Sequence, residues 1–321
     1  MKTVYFDVHS VLALQKHGNL AVLWCIAVGL CLGTAVGCGT EEARPVEQER
    51  ERAVMGGRAQ GSDMSEHGLS VNGLSVNGLS VNGLSVNGLQ TASFRGWFEQ
   101  DPGTRESVMR YVVMCALPEG QSRTYQSPAM GLTYVWPGRL GLALGWGSGM
   151  PATVAEQQVI TACLAAHANK FGLHIGISVL GLTAQGTAMP YTSSELATYS
   201  EREACFFGNA FTQQGLYVAN DRNVLKPKES TTRACGLSSK KQSIDCPPLD
   251  HVGSCKDFCT LDSTKTFYTQ CTYQGVTYKP LTTRILPTDI YSCGDGVCQF
   301  TESCGTGSTY DSCKADCGKC R

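Results

Sequence analysis

Seventeen cysteines in 321 residues dominate the chemistry available to this chain. A cysteine sulfur can ligate a metal, attack a substrate or join a disulfide, and its neighbours and compartment decide which. His251, Cys255 and Cys259 stand at i, i+4 and i+8, which on a helix would offer three zinc ligands with Cys246 nearby. In an oxidising compartment the same cysteines form disulfides instead. Cys163 and His167 lie one helical turn apart, the spacing of a thiol and its base, while the plainer reading is a bridged Cys163 with His167 at the helix edge. Gly147-Ser148-Gly149 is not the G-x-S-x-G nucleophile elbow, because Trp146 and Met150 occupy its outer positions, and it reads as a tight turn. His174 is a lone polar residue on a strand, and the sequence contains no H-E-x-x-H, Walker loop or dinucleotide fingerprint. Asp295, Glu302, Asp311 and Asp316 could gather carboxylates around a structural calcium ion, but they lack EF-hand spacing and serve equally as solvated turn residues. Trp97, Tyr134, Trp136 and Trp146 would suit a sugar-stacking face, although burial is the commoner fate of such aromatics.

Which chemistry the cysteines take depends on Leu20 to Cys38, an apolar run without a charge. It is near the lower length limit for a membrane span, and Gly29, Gly33 and Gly37 weaken it further. Lys2 and Lys16 precede it, as in an export signal, and Ala35-Val36-Gly37 sets small residues at −3 and −1 before Cys38. This resembles the lipobox of bacterial lipoproteins, with Ala35 where Leu is usual. The resemblance implies cleavage after residue 37, lipid on Cys38 and, with Gly39 rather than Asp following, an outer-membrane destination. Ordinary signal peptidase could cut the same bond and leave a secreted protein, and an uncleaved anchor is the third possibility. Cys25 and Cys31 follow Trp24 and Leu30, too large for either enzyme, and belong to the signal core. Removing Cys25, Cys31 and Cys38 from seventeen leaves fourteen cysteines, hence seven disulfides.

The mature charge is 24 − 26 = −2 once Lys2, Lys16 and Asp7 are removed, and no basic cluster exceeds Lys226/Lys228 or Lys240-Lys241, so nothing points to nucleic acid. Residues 38–67 are charged and polar without a hydrophobic period and read as a flexible tether. Residues 68–89 carry the pentad GLSVN four times and then Gly88-Leu89. A period of five suits neither a helix face nor a flat strand, but it suits a square coil in which every fifth residue points inward. Pentapeptide-repeat proteins, which this loosely resembles, place Asp or Asn before the central Leu, where this chain has Gly73. Four pentads make about one coil, so a low-complexity linker is the first reading and a short coil docked on the next domain the second.

Residues 92–290 read as one α+β domain. Thr104 is expected to cap a helix through Val108, Tyr111, Val112 and Cys115, ending before Pro118. Arg123–Gln126 and Leu132–Trp136 should form a hairpin. Thr153 and Glu156 form a capping box for a helix whose apolar face is Ala155, Val159, Cys163 and Ala166, with Gly172 ending it. Leu173 to Val179 alternates as a strand, Ser200 and Glu203 suggest a second capping box starting a helix through Cys205, Phe206 and Phe211, and Phe267 to Tyr278 reads as strand, turn and strand. Cys115, Cys163, Cys205, Cys235, Cys246, Cys255, Cys259 and Cys271 fall here. Cys115 and Cys163, each on a buried helix face, are the first pair expected; the other pairings stay open.

Residues 293–321 hold Cys293, Cys298, Cys304, Cys313, Cys317 and Cys320, too dense for an ordinary core, and form a small module held by three bridges. Cys293-Gly294-Asp295-Gly296, Cys298, Glu302, Cys304, Asp316 and Cys317 resemble the CGDGxC modules of secreted bacterial, notably myxobacterial, proteins. TACLAAHANKFG and EREACFFGNAF likewise resemble uncharacterised myxobacterial lipoproteins. The resemblance implies no particular activity. Taken together, the sequence points to a non-enzymatic lipoprotein of the cell envelope or surface with an adhesion or binding role. The alternative is an envelope hydrolase with a site near Ser148 or His167.

Overall fold

The computed structural model describes residues 69–70, 84, 88–212, 214–237, 246–306 and 311–320. The expected signal segment 1–37, Cys38 and the tether 38–67 lie outside them. Mixed helices and sheets tied by disulfides make the fold α+β and disulfide-rich.

Helix α1, Ala92–Gln100, is capped by the Thr91 side chain, which accepts from the Phe94 amide. Helix α2, Pro102–Ala116, starts earlier than expected: Asp101 is the cap, accepting from the Thr104 amide, and Pro102 occupies the first turn, where its missing N–H costs nothing. Strands β1 (Ser122–Gln126) and β2 (Thr133–Pro137) form the expected antiparallel hairpin. Its inner face sends Tyr125, Tyr134 and Trp136 onto Phe94 and Phe98, with ring centroids 4.9 Å apart for Phe98–Tyr125. The candidate sugar face is therefore core: Trp97, Tyr134, Trp136 and Trp146 are all buried.

Helix α3, Val154–His167, has both bonds of the Thr153/Glu156 capping box, and Glu156 also accepts from the Trp146 amide at 2.9 Å. It ends at His167, not Gly172, where the chain turns extended at Ala168–Asn169. Every residue from Glu156 to His167 is buried, because α2 packs on one side and a sheet on the other. The strand expected from Leu173 begins only at β3, Ile177–Gly181. Helix α4, Ser193–Thr198, follows, capped by Thr192.

The second expected capping box is overturned. Glu201–Gly208 is strand β4, and Glu203 is not a cap residue but a buried acid. The run Ala204-Cys205-Phe206-Phe207 is apolar on every residue, and a strand buried on both faces has that pattern. β5 (Leu216–Asn220), β6 (Leu249–Ser254), β7 (Cys259–Leu261), β8 (Tyr268–Tyr273), β9 (Val276–Tyr278) and β10 (Leu281–Ile285) supply the other strands of the two larger sheets. The main sheet runs β3-β10-β4-β5-β6, antiparallel except for β5 with β6. Ala204 and Phe206 face the core under α3, while Cys205 and Phe207 face a second core formed with Tyr268, Cys271 and Tyr278 of the meander β7-β8-β9. The β8–β9 turn has positive φ at Gln274 (50°) and Gly275 (79°), as a two-residue hairpin turn requires. At Gly208 a side chain cannot enter, because a Cβ would stand 2.3 Å from the Gly215 carbonyl oxygen.

The repeats are not a solvated linker where they are described. Leu69–Ser70 pairs in parallel with Ala168–Asn169, Leu84 is fully buried and Leu89 is 3 % exposed. The C-terminal module is docked as well: Tyr291–Ser292 pairs with Glu229–Ser230, the Ser230 and Thr301 hydroxyls lie 2.8 Å apart, and Phe300 meets Phe171 edge-on.

Candidate functional site

The cysteines are the first site to account for. Seven disulfides join Cys115–Cys163, Cys205–Cys255, Cys235–Cys246, Cys259–Cys271, Cys293–Cys313, Cys298–Cys317 and Cys304–Cys320. All fourteen cysteines beyond Cys38 are used. The first bridge joins α2 to α3, the pair their buried faces suggest. Cys205–Cys255 and Cys259–Cys271 fasten the second core. The zinc-like set is thereby dissolved: Cys255, Cys259 and Cys246 are each bonded to another cysteine, and His251 sits on β6, before the single-turn helix Cys255–Phe258.

His167 is buried, and its Nδ1 donates to the Cys163 carbonyl oxygen at 2.8 Å. That bond fixes the neutral tautomer with a bare Nε2, which has no partner among the described residues. Burial above all holds its pKa down to about 4, and the neighbouring Arg233, His174 and Arg139 add to the effect against the Cys163 carbonyl. Its sequence neighbour Cys163 is a bridged sulfur, not a nucleophile. His174 Nδ1 lies 2.9 Å from the Tyr111 hydroxyl, and Ser148 Oγ donates to the Gly145 carbonyl oxygen at 2.8 Å, closing the helix end Leu144–Gly147. Among the described residues, His167 has no hydrogen-bond partner beyond Cys163, whose sulfur is bridged. The Ser148 and His167 positions are not brought together as a hydrolytic pair.

The acid-base state of His167 has a measurable consequence. Its folded pKa lies below its unfolded value, so the stability it permits is complete above pH 6.5 and is withdrawn as the pH falls through about 4. Over that window the loss amounts to about 3 kcal/mol. Asp289, lifted to about 6 mainly by burial, has the opposite sign, so the comparison must be with a His167→Gln variant. Urea midpoints between pH 7 and pH 4 should fall more steeply for the native chain than for the variant; parallel curves would show that water reaches the imidazole.

Beside His167 lies a charged pair that the sequence did not reveal. Arg233 Nε donates to Glu203 Oε1 at 2.8 Å, with side chains 2 % and 0 % exposed. The same guanidinium donates to the carbonyls of Ala166 and Ala168, the loose end of α3. The acid Glu203 directly before the apolar run Ala204–Phe207 was the available signal.

In the C-terminal module the four acids do not form a ring. Asp316 accepts from the Gly294 and Gly296 amides, Asp295 from the Val297 amide and Gln299 Nε2, and Glu302 from the Gln299 amide. Asp311 contributes its backbone carbonyl, which accepts from the Ser303 amide. Glu302 and Asp316 are close enough to share an ion with Cys293 and Cys313, but those two sulfurs are bonded to each other. Burial raises the Glu302 pKa, with Asp316 and Asp295 adding to it. The carboxylates mainly tie the turns of the module together.

A cleft of about 580 Å³ runs along β1, lined by all five of its residues with Leu89, Gln90 and Arg95 opposite. No residue of it was singled out from the sequence. A short, polar, alternating strand such as Ser122-x-Thr124-x-Gln126 was the trace it left there.

No helix among the described residues is long and apolar enough to cross a membrane. Comparison with protein families matches one model, the GLTT repeat (6 copies), at residues 65–94. That stretch contains the pentads and runs into the start of α1, so the similarity concerns the repeat and its junction with the α+β domain. No curated protein and no solved structure matches the chain.

Proposed function

We propose that this chain is a non-enzymatic, lipid-anchored protein of the cell envelope or surface, held in the outer membrane by lipid on Cys38 and acting in adhesion or binding. The observation that carries this reading is the complete pairing of the fourteen cysteines beyond Cys38. Disulfides accumulate in exported proteins and are scarce where glutathione and thioredoxin keep thiols reduced. The apolar run ending in Ala35-Val36-Gly37-Cys38 supplies a route to that compartment and a point of attachment. The binding role is supported by the open cleft along β1 and by the engagement of His167, Ser148 and the cysteines in structural bonds.

Intact mass of the protein extracted from membranes tests the reading. The expected species begins at Cys38, carries the added mass of two or three acyl chains and gains fourteen hydrogens on reduction. A chain recovered from the cytosol with free thiols would overturn the proposal, and an unacylated chain beginning at Cys38 would replace the anchor with secretion.

A further inference from the structure

Among the described residues, no strand pairs with the outer edge of β1 in the hairpin β1–β2. The bonds from the Ser127 amide to the Leu132 carbonyl and from the Gly138 amide to the Gln121 carbonyl bracket a register in which Arg123 faces Trp136 and Tyr125 faces Tyr134. Bonded and non-bonded pairs alternate along an antiparallel ladder, so Arg123 and Tyr125 spend their backbone groups on β2. Ser122, Thr124 and Gln126 therefore turn theirs outward. The Ser122 carbonyl is taken by Arg123 Nη1 at 2.8 Å, while the outward groups of Thr124 and Gln126 have no partner among the described residues. These are the residues that line the cleft, and Ser122, Thr124 and Gln126 are all exposed. Unpaired edges are where a further strand adds.

The charges of the cleft indicate what kind of strand. Arg95 and Arg123 are the only ionisable residues of its lining apart from Tyr125, and neither has a carboxylate within ion-pair distance among the described residues. Arg123 is held by carbonyls instead, donating to Leu84, Ser122 and Gly147, so its charge is fixed in place but not neutralised. Glu99, four residues after Arg95 on α1, is occupied by the Tyr125 and Ser127 hydroxyls at 2.8 Å each. The volume lies within the roughly 300–1,000 Å³ of ligand clefts.

We infer that the cleft along β1 receives an extended acidic peptide, which adds as a third strand to the hairpin through the backbone of Thr124 and Gln126 and sets a carboxylate against Arg95 and Arg123. The inference deepens the binding role proposed above and does not depend on the lipid anchor, so either can fail alone.

The test is fluorescence anisotropy of the full disulfide-bonded chain with labelled hexapeptides: Thr-Val-Glu-Val-Glu-Thr, its lysine counterpart and the acidic peptide N-methylated at alternate residues. The acidic peptide should bind, and the lysine and N-methylated peptides should not. Thr124→Pro removes one outward N–H at an edge position where proline is tolerated and should weaken binding about tenfold. Arg95→Glu changes an exposed side chain and should abolish the preference for the acidic peptide while leaving the fold intact. Failure of the acidic peptide to bind, or binding indifferent to N-methylation and to both substitutions, would overturn the inference. So would a dimer in sedimentation that Thr124→Pro dissociates, because the edge would then be filled by a second copy of this chain.

Discussion

Replacing Arg233 with methionine should cost about 3–5 kcal/mol, the usual loss when one partner of a buried ion pair is removed. The cause is local. Glu203 is fully buried, and without the guanidinium its carboxylate would have no counter-charge, while the Ala166 and Ala168 carbonyls would lose their donors. The double variant Arg233→Met/Glu203→Leu should recover much of the loss, since an apolar pair of similar size avoids the desolvation of both ions. Denaturant midpoints of native, single and double variants decide the matter. Equal stability of single and double variants would mean that the charge of Glu203 is solvated, contrary to its place under α3.

The Cys115→Ala/Cys163→Ala variant is the second large effect expected. The bridge spans a sequence separation of 48, and closing a loop of that length in the unfolded chain stabilises the fold by about 4 kcal/mol in the chain-entropy account. For a domain of this size that corresponds to a drop in Tm of roughly 10 °C. Both sulfurs are completely buried between α2 and α3, so lost packing adds to the lost cross-link. A Tm unchanged within a degree or two would show that the helices are already held in register by the surrounding core. The contrast with Cys235–Cys246, whose separation is 11, is informative because a shorter loop gives a smaller entropic return.

Features set by near neighbours were legible in advance. The Thr153/Glu156 capping box, the β1–β2 hairpin and the turn at Gln274-Gly275 each rest on residues a few positions apart. The Cys115–Cys163 pair was also accessible, because each cysteine lies on the apolar stripe of its own helix. The failure at Glu201–Gly208 is instructive. Ser200 and Glu203 satisfy the local pattern of a cap, but the four apolar residues that follow can be covered on both faces only by a central strand, and two cores were available to cover them. Likewise Leu173 to Gly176 alternates without forming a strand, because β10 pairs only from Ile177 onward. Of the candidate site residues, His167 could be placed on its helix from sequence. The buried Arg233–Glu203 pair beside it could not, because those two residues come from far along the chain.

By itself, the amino-acid order determined the α+β class, the disulfide-rich character and the dense C-terminal module, since composition, short-range spacing and cysteine number carry those properties directly. Tertiary structure alone decided which sulfurs meet across the second core, that a GLSVN leucine belongs to the main core, that a buried arginine closes the end of α3, and that no strand among the described residues adds to the outer edge of β1. Those outcomes depend on which distant surfaces come into contact and on what is then hidden from water, and no local window of residues contains either.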